Sequence, residues 1–581
     1  MSKRVRILLA WLCTAVAITG CQAGAPKTRK TLGEWSRGLQ LGTTAIKQPV
    51  SMDISGGAAQ LVWVGADAKA LHYVRLSSAG KIEINTDIGV NGSHPSLPQL
   101  HISPDSSLRI LWTDNPRIPR ALFFTRTSPD AKAGESRLLS TEGVRVSDYA
   151  VAHNADDTLD IFWATEVPTE GGIYHLRLSA QDQVLTPNHL IVANGSKPAL
   201  QQDRDGRIHL IWVEGQSIQE NNVHYAVFHP NTGDFAARMR VGFYRTGTGL
   251  VSNPPVLGVD STTAYVLWSL EARGGGQAGE AQTWLISFPL GNPSFVEATT
   301  LDIPAAMRPE YHRIRGALPY QQLAVADAGF PTGYLYMPAT FGGQYDEMGV
   351  VVAGQFSARQ RTSMEIAWVV LTNGEVKGYQ IPVRSSNAVR SSGLIDPNGS
   401  AHLVWLNSAG FGRYEVYYAS TAEAIRANLD RVSLQDVAAD LLSAAWNIAP
   451  ALGFFPPIFL LWTIASFVWV VGFYMIKIEG GMERRASKVA LIVAIVLYLC
   501  SKLFLMPSVL FYAPFADRVP ASLQYIPVIG APVVTALIAL GVVAIYFRRR
   551  EYRSLLVTYL IFVTTDALLS LLVYVPAIVG P

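Results

Sequence analysis

The stretch from Pro98 to Trp112 reads PQLHISPDSSLRILW, and it decides the fold because the chain repeats it. It combines a proline, an apolar run, a turn that carries Asp105 and a second apolar run that ends in tryptophan. The further copies are YAVAHNADDTLDIFW to Trp163, PALQQDRDGRIHLIW to Trp212, PPVLGVDSTTAYVLW to Trp268 and GLIDPNGSAHLVW to Trp405, and an earlier copy ends at Trp63. Such regular self-similarity is typical of a repeat architecture.

Each copy is followed by an aromatic segment such as ALFFTRTS, IYHLRLS or YEVYYAS, and usually by a weaker segment before the next repeat. This gives about four strands per unit. From Trp63 to Trp268 the repeat tryptophans lie 49, 51, 49 and 56 residues apart, a period that fits four-stranded propeller blades. The sequence therefore predicts an all-β propeller of about seven four-stranded blades over residues 36–420.

The interval from Trp268 to Trp405 leaves room for one further blade and an insertion. MGVVVAGQF and MEIAWVVLTNGEVKGYQI fill that blade. Asn373-Gly374 favours a tight hairpin turn, because both residues tolerate positive φ angles. This places Trp368 on the third strand of its blade instead of the second. The insertion, from about Leu301 to Glu347, is long enough to fold over one mouth of the ring or to decorate the blade.

The last repeat lacks a fourth strand, while RGLQLGTTAI near residue 40 forms a strand that belongs to no repeat. The two complete each other. We therefore predict that the N-terminal strand is the outer strand of the last blade. Such a closure removes the unpaired strand edges that an open array would expose.

The Asp turn followed by tryptophan resembles the Asp-box repeats of sialidase-like propellers, most closely from Asp205 to Trp212 and at Asp396-Pro-Asn-Gly. The resemblance covers roughly residues 36 to 420 and implies the fold more than an activity, because Asp-boxes are structural turns. Sialidases use a tyrosine nucleophile assisted by a carboxylate, an acidic proton donor and three arginines that clamp the substrate carboxylate. No residue here lies in a context that matches that set, so the catalytic residues stay unknown.

Charge and motif content argue against several classes of function. The net charge is +3 and basic residues do not cluster with aromatic ones, so nucleic acid is not an expected partner. HExxH, GxSxG, P-loop and Rossmann patterns are absent, and the eleven histidines show no metal-ligand spacing. We therefore expect no cofactor and no metal. No cysteine lies between Cys21 and Cys500, which excludes disulfides and thiolate sites from the repeat region.

An acidic residue follows the repeat tryptophan within a few positions in five copies: Asp67, Asp114, Glu166, Glu214 and Glu271. Successive strands of a blade reverse direction, so these acids share one face of the ring. They are either solvated charges at strand ends or a polar ring around the mouth of the central channel. In the second case they are candidate ligand-binding residues.

The N-terminus carries an export signal. Lys3, Arg4 and Arg6 precede an apolar run that is too short to cross a bilayer. The run ends in Ile-Thr-Gly-Cys21, which resembles the bacterial lipobox. The resemblance implies cleavage after a signal peptide of residues 1–20 and lipidation of Cys21, with residues 21–35 as a tether. The alternatives are an ordinary signal peptide or an uncleaved anchor.

The C-terminal part is predicted to lie in the membrane. Residues 421–450 have apolar residues at helical spacing and favour an amphipathic connecting helix. Within residues 451–581 four apolar runs predict transmembrane helices at Phe454 to Ile476, Val489 to Phe511, Tyr525 to Phe547 and Leu555 to Val579. The first and third loops between them are rich in Lys and Arg, so the positive-inside rule places the propeller and the C-terminus outside the cytoplasm.

Two ionisable residues interrupt these runs, Lys502 in the second and Asp566 in the fourth. They lie at matched depth from the cytoplasmic ends, so we expect an ion pair between neighbouring helices, with Ser501, Thr564 and Thr565 as further hydrogen-bond partners. The alternative is that Lys502 extends to the headgroups and that Asp566 is protonated.

These features predict a bacterial lipoprotein of the cell membrane, held by a lipid and by four helices. The leading hypothesis for its function is an extracytoplasmic binding or sensing module that captures a glycan, a peptide or a protein. The alternatives are a cell-surface glycosidase of sialidase type and a structural subunit of an envelope complex. Four helices exceed what anchoring needs, which favours another membrane protein as a partner.

Overall fold

A computed structural model of the chain provides the structure, which forms two compact units. The first unit contains the described residues up to 431, and the second contains those from 448 onwards. The described residues are 28, 34–90, 94–114, 120–131, 134–165, 171–215, 219–230, 232–236, 238–247, 249–273, 280–304, 330–341, 347–358, 361–383, 385, 387–431, 448–476, 481–505, 525–549 and 552–579.

The first unit is a propeller of seven antiparallel sheets, and strand β1 (Leu39–Thr44) precedes the first of them. The first three sheets have four strands each and follow one another along the chain. Blade one contains β2 Ser51–Ser55, β3 Ala58–Val64, β4 Leu71–Leu76 and β5 Ile82–Ile88. Blade two contains β6 Pro95–Ile102, β7 Leu108–Asp114, β8 Leu122–Thr127 and β9 Ser136–Leu138. Blade three contains β10 Asp148–His153, β11 Leu159–Thr165, β12 Gly172–Leu178 and β13 Val184–Ala193.

The last four blades follow the same order, but the outer strand of blade four and the innermost strand of blade five are each split in two. Blade four contains β14 Gly195–Gln202, β15 Ile208–Gly215, β16 Glu220–His229, β17 Asp234–Phe235 and β18 Met239–Arg245. Blade five contains β19 Leu250–Ser252, β20 Val256–Val259, β21 Thr263–Ala272, β22 Ala281–Pro289 and β23 Thr299–Thr300. Blade six contains β24 Phe330–Thr340, β25 Met348–Ala358, β26 Arg361–Thr372 and β27 Glu375–Gln380. Blade seven contains β28 Ala388–Ile395, β29 Ala401–Gly410 and β30 Arg413–Ser420.

The N-terminal strand closes the ring, as the sequence predicts. Strand β1 pairs antiparallel with β30, so that Leu39 lies opposite Tyr418, and it becomes the outer strand of blade seven. Leu41 points into the core between blades one and seven and is 3% exposed. The backbone N–H of Ser36 adds a hydrogen bond of 2.8 Å to the carbonyl of Ser420. Two segments nearly four hundred residues apart therefore share one sheet.

The repeat tryptophans form the interior of the blades. In six blades the tryptophan lies on the second strand, is at most 2% exposed and stands opposite an aromatic residue of the third strand. Trp163, for example, stacks on Tyr174 with ring centroids 4.4 Å apart. Blade six differs from the others. Its tryptophan, Trp368, lies on the third strand, as predicted, and stands opposite Val351 of the second strand.

The Asp turns connect the first and second strands. In blade four Asp203 Oδ1 accepts hydrogen bonds from the backbone N–H groups of Asp205 and Arg207, while Gly206 takes a φ of +76°. In blades five and seven, Asp260 and Asp396 likewise each accept from two turn N–H groups. In blades two and three the turn carboxylates, Asp105 and Asp156, each accept from one, that of Ser107 and that of Thr158. These carboxylates therefore form structural Asx-turns.

The strand register defines two faces of the ring. Each second strand ends beside the start of the innermost strand, as shown by Asp114 opposite Pro95 and by Glu214 opposite Gly195. We call this side the post-Trp face. The Asp turns lie at the opposite ends of the same strands, and we call that side the Asp-turn face.

A short helix, α1 (Glu423–Leu429), follows the last strand and packs on blade one. Ile425 and Leu429 are buried, and the side-chain amide of Asn428 donates to the carbonyl of Ala79 at 3.0 Å. Asp430 caps the helix and accepts a hydrogen bond from the N–H of Arg37 at 2.9 Å. The predicted connecting helix covers residues 421–450. Of these, residues 421–431 and 448–450 lie within the described part of the chain, and the last three belong to the next helix.

The second unit contains four helices that are long and apolar enough to cross a membrane. They are α2 Ile448–Ile476, α3 Arg485–Leu505, α4 Tyr525–Arg549 and α5 Leu555–Val579. Helix α5 contacts the other three and carries the most buried residues of the bundle, among them Tyr559, Phe562 and Val563. The part of the second predicted span beyond Leu505 lies outside the described residues.

Candidate functional site

The innermost strands of four blades share a bulge near the post-Trp face. At each bulge the register to the second strand shifts, and a residue other than glycine takes a φ between 48° and 53°: Leu97, Lys197, Met337 and Arg390. Bulges redirect side chains, and residues held in this strained conformation cluster at functional sites. The centre of the ring near this face is therefore a candidate binding site.

Arg390, in the bulge of blade seven, reaches across to blade five. Its Nη2 donates to Asn253 Oδ1 at 3.1 Å. Its Nε is buried and has no hydrogen-bond partner among the described residues. Burial lowers the pKa of the guanidinium, and the negative charge of Glu271 opposes this effect. A buried donor without an acceptor costs about 1–3 kcal/mol, so an acceptor supplied by a ligand would be favourable here.

Three further residues lie close enough to Arg390 for the charges to influence one another, and together with it they define what we call the mouth cluster: Lys47, Glu271 and Tyr336. Lys47 Nζ lies 6.0 Å from the centre of the Tyr336 ring. Burial, with Glu271 as a second cause, raises the pKa of Tyr336 to about 12. Burial lowers the pKa of Lys47, although Glu271 favours the charged form.

The charge balance of this cluster favours an anionic ligand. Lys47 and Arg390 carry positive charge, and Arg273 adds another at 3.9 Å from Glu271. Among the described residues, Glu271 is the acid whose negative charge acts on Lys47 and Arg390. Tyr336 keeps its phenolic proton at neutral pH and can donate a hydrogen bond. Together these groups match the recognition of a carboxylate or sulfate with neighbouring hydroxyls.

The other acids that follow the repeat tryptophans make local contacts within their own blades. Exposed Asp67 accepts from the N–H of Lys69 at 2.9 Å. Asp114 accepts from the N–H of His94 at 3.0 Å. Glu214 accepts from the indole N–H of Trp212 at 2.8 Å.

Of the predicted acids, Glu271 is the one whose charge influences residues of the innermost strands, because it affects the pKa values of Tyr336 and Arg390. Glu166 lies outside the described residues, as does most of the insertion from about Leu301 to Glu347. Tyr336 and Arg390 were missed by the sequence analysis. They belong to repeats whose innermost strands depart from the common phrase, and a search for such departures would have pointed to them.

The Asp-turn face carries a buried ionic network between blades two and three. Arg109 is fully buried on β7 and donates from Nε to Asp182 Oδ1 at 2.7 Å and from Nη1 to the carbonyl of Asp157 at 2.7 Å. Arg126 holds the other oxygen of Asp182 at 2.8 Å. Every charge in the network has a partner of opposite sign, as a buried charge requires.

Beside this network the innermost strands of blades one, two and three bring together Asp53, His101 and His153. One potential ligand atom from each lies within 4.8 Å of the others. The two imidazole rings stand edge to face with centroids 5.6 Å apart. Burial lowers the pKa of His101 to about 3, which keeps that ring neutral. Desolvation raises the pKa of Asp53, although its carboxylate accepts from the N–H groups of Ile102 and Ile54.

The sequence analysis missed this triad because it searched for ligands at short spacings. The three residues lie 48 and 52 residues apart, which is one repeat period. Residues at the same position of successive repeats converge on the axis of a propeller. Comparing the innermost strands position by position would therefore have revealed the triad.

In the helical unit the structure brings Lys502 and Asp566 together. Lys502 Nζ lies 2.7 Å from Asp566 Oδ2 and 2.6 Å from Ser570 Oγ, and the Tyr498 hydroxyl donates to the same carboxylate oxygen at 2.8 Å. Both charged side chains are at most 5% exposed. The hydrogen-bond partners are therefore Tyr498 and Ser570, whereas the sequence suggested Ser501, Thr564 and Thr565. Cys21 lies outside the described residues.

Comparison with known proteins gives distant structural likeness only. No family model matches the chain, and no curated protein matches it. Among solved structures, an ulvan lyase of polysaccharide lyase family PL25 matches with a TM-score of 0.42 and 9% identity, over 65% of this chain and 94% of the lyase. A thermostable family-43 glycoside hydrolase gives a TM-score of 0.31 and 9% identity, over 46% of this chain and 96% of that enzyme.

An exo-β-1,3-galactanase from Clostridium thermocellum gives a TM-score of 0.30 and 10% identity, over 64% of this chain and 92% of the galactanase. Scores this low say nothing about activity. The fold of this chain rests on its own strand pairing, and its function has to be inferred from its own residues.

Proposed function

We propose that this protein is a membrane-held binding module that captures an extracytoplasmic ligand at the post-Trp face of its propeller. The observation that carries the proposal is the buried Nε of Arg390, which has no hydrogen-bond partner among the described residues and lies in the electrostatic range of Lys47 and Glu271. The ligand class with the best chemical match is a glycan that bears carboxylate or sulfate groups. Arg390 and Lys47 would bind the anionic group, while Tyr336 and Glu271 would bind hydroxyls.

The position of the mouth cluster supports this role. Lys47 precedes the first innermost strand, Glu271 ends the second strand of blade five, and Tyr336 and Arg390 belong to blades six and seven. A ligand here would contact four consecutive blades of the ring. The closed ring and its buried tryptophans hold these residues on a rigid scaffold, which limits the entropy lost on binding.

The membrane attachment belongs to the same proposal. Four helices are long and apolar enough to span a bilayer. The basic residues of the first and third loops support an extracytoplasmic propeller, and the lipobox supports an acylated Cys21. Mass spectrometry of the mature N-terminus tests the lipid: a diacylglyceryl cysteine as first residue is expected, and an unmodified terminus at another residue would contradict it.

A surface glycosidase is the second candidate, and the negative charge of Glu271 in the electrostatic range of Tyr336 favours it. A tyrosine next to a carboxylate is the nucleophile arrangement of sialidases. The described residues bring two arginines to this cluster, Arg273 and Arg390, where a sialidase uses three. Binding without hydrolysis is therefore the better match to the described part of the site.

A glycan array tests the proposal and separates the two candidates. The full chain, purified in detergent, is applied to pairs of oligosaccharides that share one backbone and differ in carboxylate or sulfate groups. We expect binding to the acidic member of at least one pair and weak binding to its neutral partner. Preference for neutral glycans, or no glycan binding, would contradict the proposed ligand class. Release of new reducing ends from a bound glycan would favour the glycosidase.

A further inference from the structure

We propose that Asp53, His101 and His153 bind a divalent transition-metal ion, with zinc as the best match, at the centre of the propeller near the Asp-turn face. Each residue comes from a different blade, and one potential ligand atom of each lies within 4.8 Å of the others. This site is separate from the mouth cluster and does not depend on the proposed function.

The spacing of the three side chains suits a metal after a small inward movement. Zinc binds imidazole nitrogen and carboxylate oxygen at about 2.0–2.2 Å, so tetrahedral ligands lie roughly 3.3 Å from one another. A movement of each ligand atom by about 1 Å, through side-chain rotation, would shorten the distances between them from at most 4.8 Å to this value. The backbones are already fixed, because each residue lies on an innermost strand of the ring.

The environment of the His101 ring indicates that an electron-pair acceptor, such as a metal ion, belongs at this position. Its Nε2 is inaccessible to water and has no hydrogen-bond partner among the described residues. A buried polar atom without a partner is rare in native proteins and calls for an explanation such as an ion. The ring stands edge to face against His153, and one potential ligand atom of each histidine lies within 4.8 Å of a carboxylate oxygen of Asp53.

The surroundings orient the other two ligands. His153 Nε2 lies 2.7 Å from Asp157 Oδ1 and donates its proton there, which leaves Nδ1 as an acceptor for a metal. Asp157 is itself held by Arg109, at 3.2 Å. Metal-bound histidines commonly donate their second nitrogen to a carboxylate in this manner. The Asp53 carboxylate is fixed by the N–H groups of Ile54 and Ile102.

The donor set defines the class of metal. Two imidazoles and one carboxylate match zinc and similar transition metals, whereas calcium and magnesium prefer six or more oxygen ligands. Three protein ligands leave a fourth position open for water or for a ligand group. A bound ion would also connect the first three blades at the axis and stabilise the folded ring.

Metal content and cobalt spectra test the site. The full chain, purified in detergent with a tag that contains no histidine, is exposed to zinc, dialysed and analysed by mass spectrometry for metals. About one zinc per chain is expected, and D53N and H101Q should each lose it. H175Q and H209Q are matched controls, because these buried histidines instead hydrogen-bond to Asp160 and Asp203 within their blades and should keep the zinc.

A spectroscopic variant guards against loss of metal through misfolding. Cobalt(II) should give tetrahedral d–d absorption in the wild type, and H101C should add a thiolate-to-cobalt charge-transfer band, which appears only if residue 101 is a ligand. Zinc should also raise the melting temperature of the wild type by about 3 °C at a hundredfold excess over Kd. Equal zinc content in all four variants, preference for calcium, or absence of the charge-transfer band would overturn the proposal.

Discussion

Replacing Leu41 by alanine tests the closure of the ring. Leu41 lies on β1, is 3% exposed and packs in the core that joins blades one and seven, with Leu61 of β3 and Val416 of β30. Removing a buried leucine side chain costs about 2–5 kcal/mol, so we take about 3 kcal/mol. Unfolding entropy is roughly 2.1 cal/mol/K per residue, which for a unit of about 400 residues converts this loss into a melting temperature lower by about 4 °C.

The matched control is T43A, on the same strand but exposed. Its backbone carbonyl, which accepts a hydrogen bond from the Trp63 indole at 3.3 Å, is retained. The control should cost at most about 1 kcal/mol, or about 1 °C. Thermal unfolding of the full chain in detergent, followed by tryptophan fluorescence, reports mainly on the propeller. If L41A melted at the temperature of T43A, β1 would not be an integral strand of the last blade.

Three further outcomes follow from the described contacts. In the helical unit, K502M alone should destabilise the fold by about 3–5 kcal/mol, because it leaves the buried carboxylate of Asp566 without its charged partner. The double variant K502M/D566L should recover most of that loss in thermal melts. A double variant no more stable than K502M would refute the pairing. In blade four, D203A should lower the free energy of unfolding by about 1–2 kcal/mol in denaturant titrations, because Asp203 Oδ1 accepts hydrogen bonds from two turn N–H groups. D205A removes an exposed side chain and should change it by at most about 0.5 kcal/mol. Equal effects of the two variants would show that the Asp203 carboxylate does not stabilise the turn. Burial lowers the pKa of His402 from 6.5, so the unfolded state binds a proton at this residue more readily than the folded state. Stability should therefore fall as pH drops below about 6.5, by up to about 1.4 kcal/mol per pH unit. H402Q should lose less stability between pH 6.5 and 5, and an unchanged slope would exclude this histidine as a cause.

The fold was predictable because its determinants recur along the chain. The tryptophan period indicated four-stranded blades, and the unmatched strand near residue 40 indicated the closure that β1 and β30 form. The same reasoning placed Trp368 on a third strand. The structure adds the reason: a side chain at Gly349 would lie 2.6 Å from Trp368 Nε1, so the second strand of this blade makes room for the indole.

The sites were less predictable because they depend on register and on side-chain direction. The bulge at Arg390 reflects a shift between β28 and β29 that no local motif marks. The triad of Asp53, His101 and His153 takes one residue from each of three repeats, so each of its members looks like an ordinary strand residue. The acids after the repeat tryptophans share the post-Trp face, but local hydrogen bonds engage Asp67, Asp114 and Glu214 within their blades.

The affinity of R390M for an acidic glycan selected on the array tests the central claim most directly. The substitution retains an apolar stem of similar length and removes the charge and all five N–H donors. R207M is the matched control, because Arg207 lies on the Asp-turn face and is 55% exposed. Titration calorimetry at fixed ionic strength should show at least roughly tenfold weaker binding for R390M, as expected for the loss of a charge-assisted hydrogen bond, and unchanged binding for R207M. Equal affinity of R390M and the wild type would show that the mouth cluster is not the binding site.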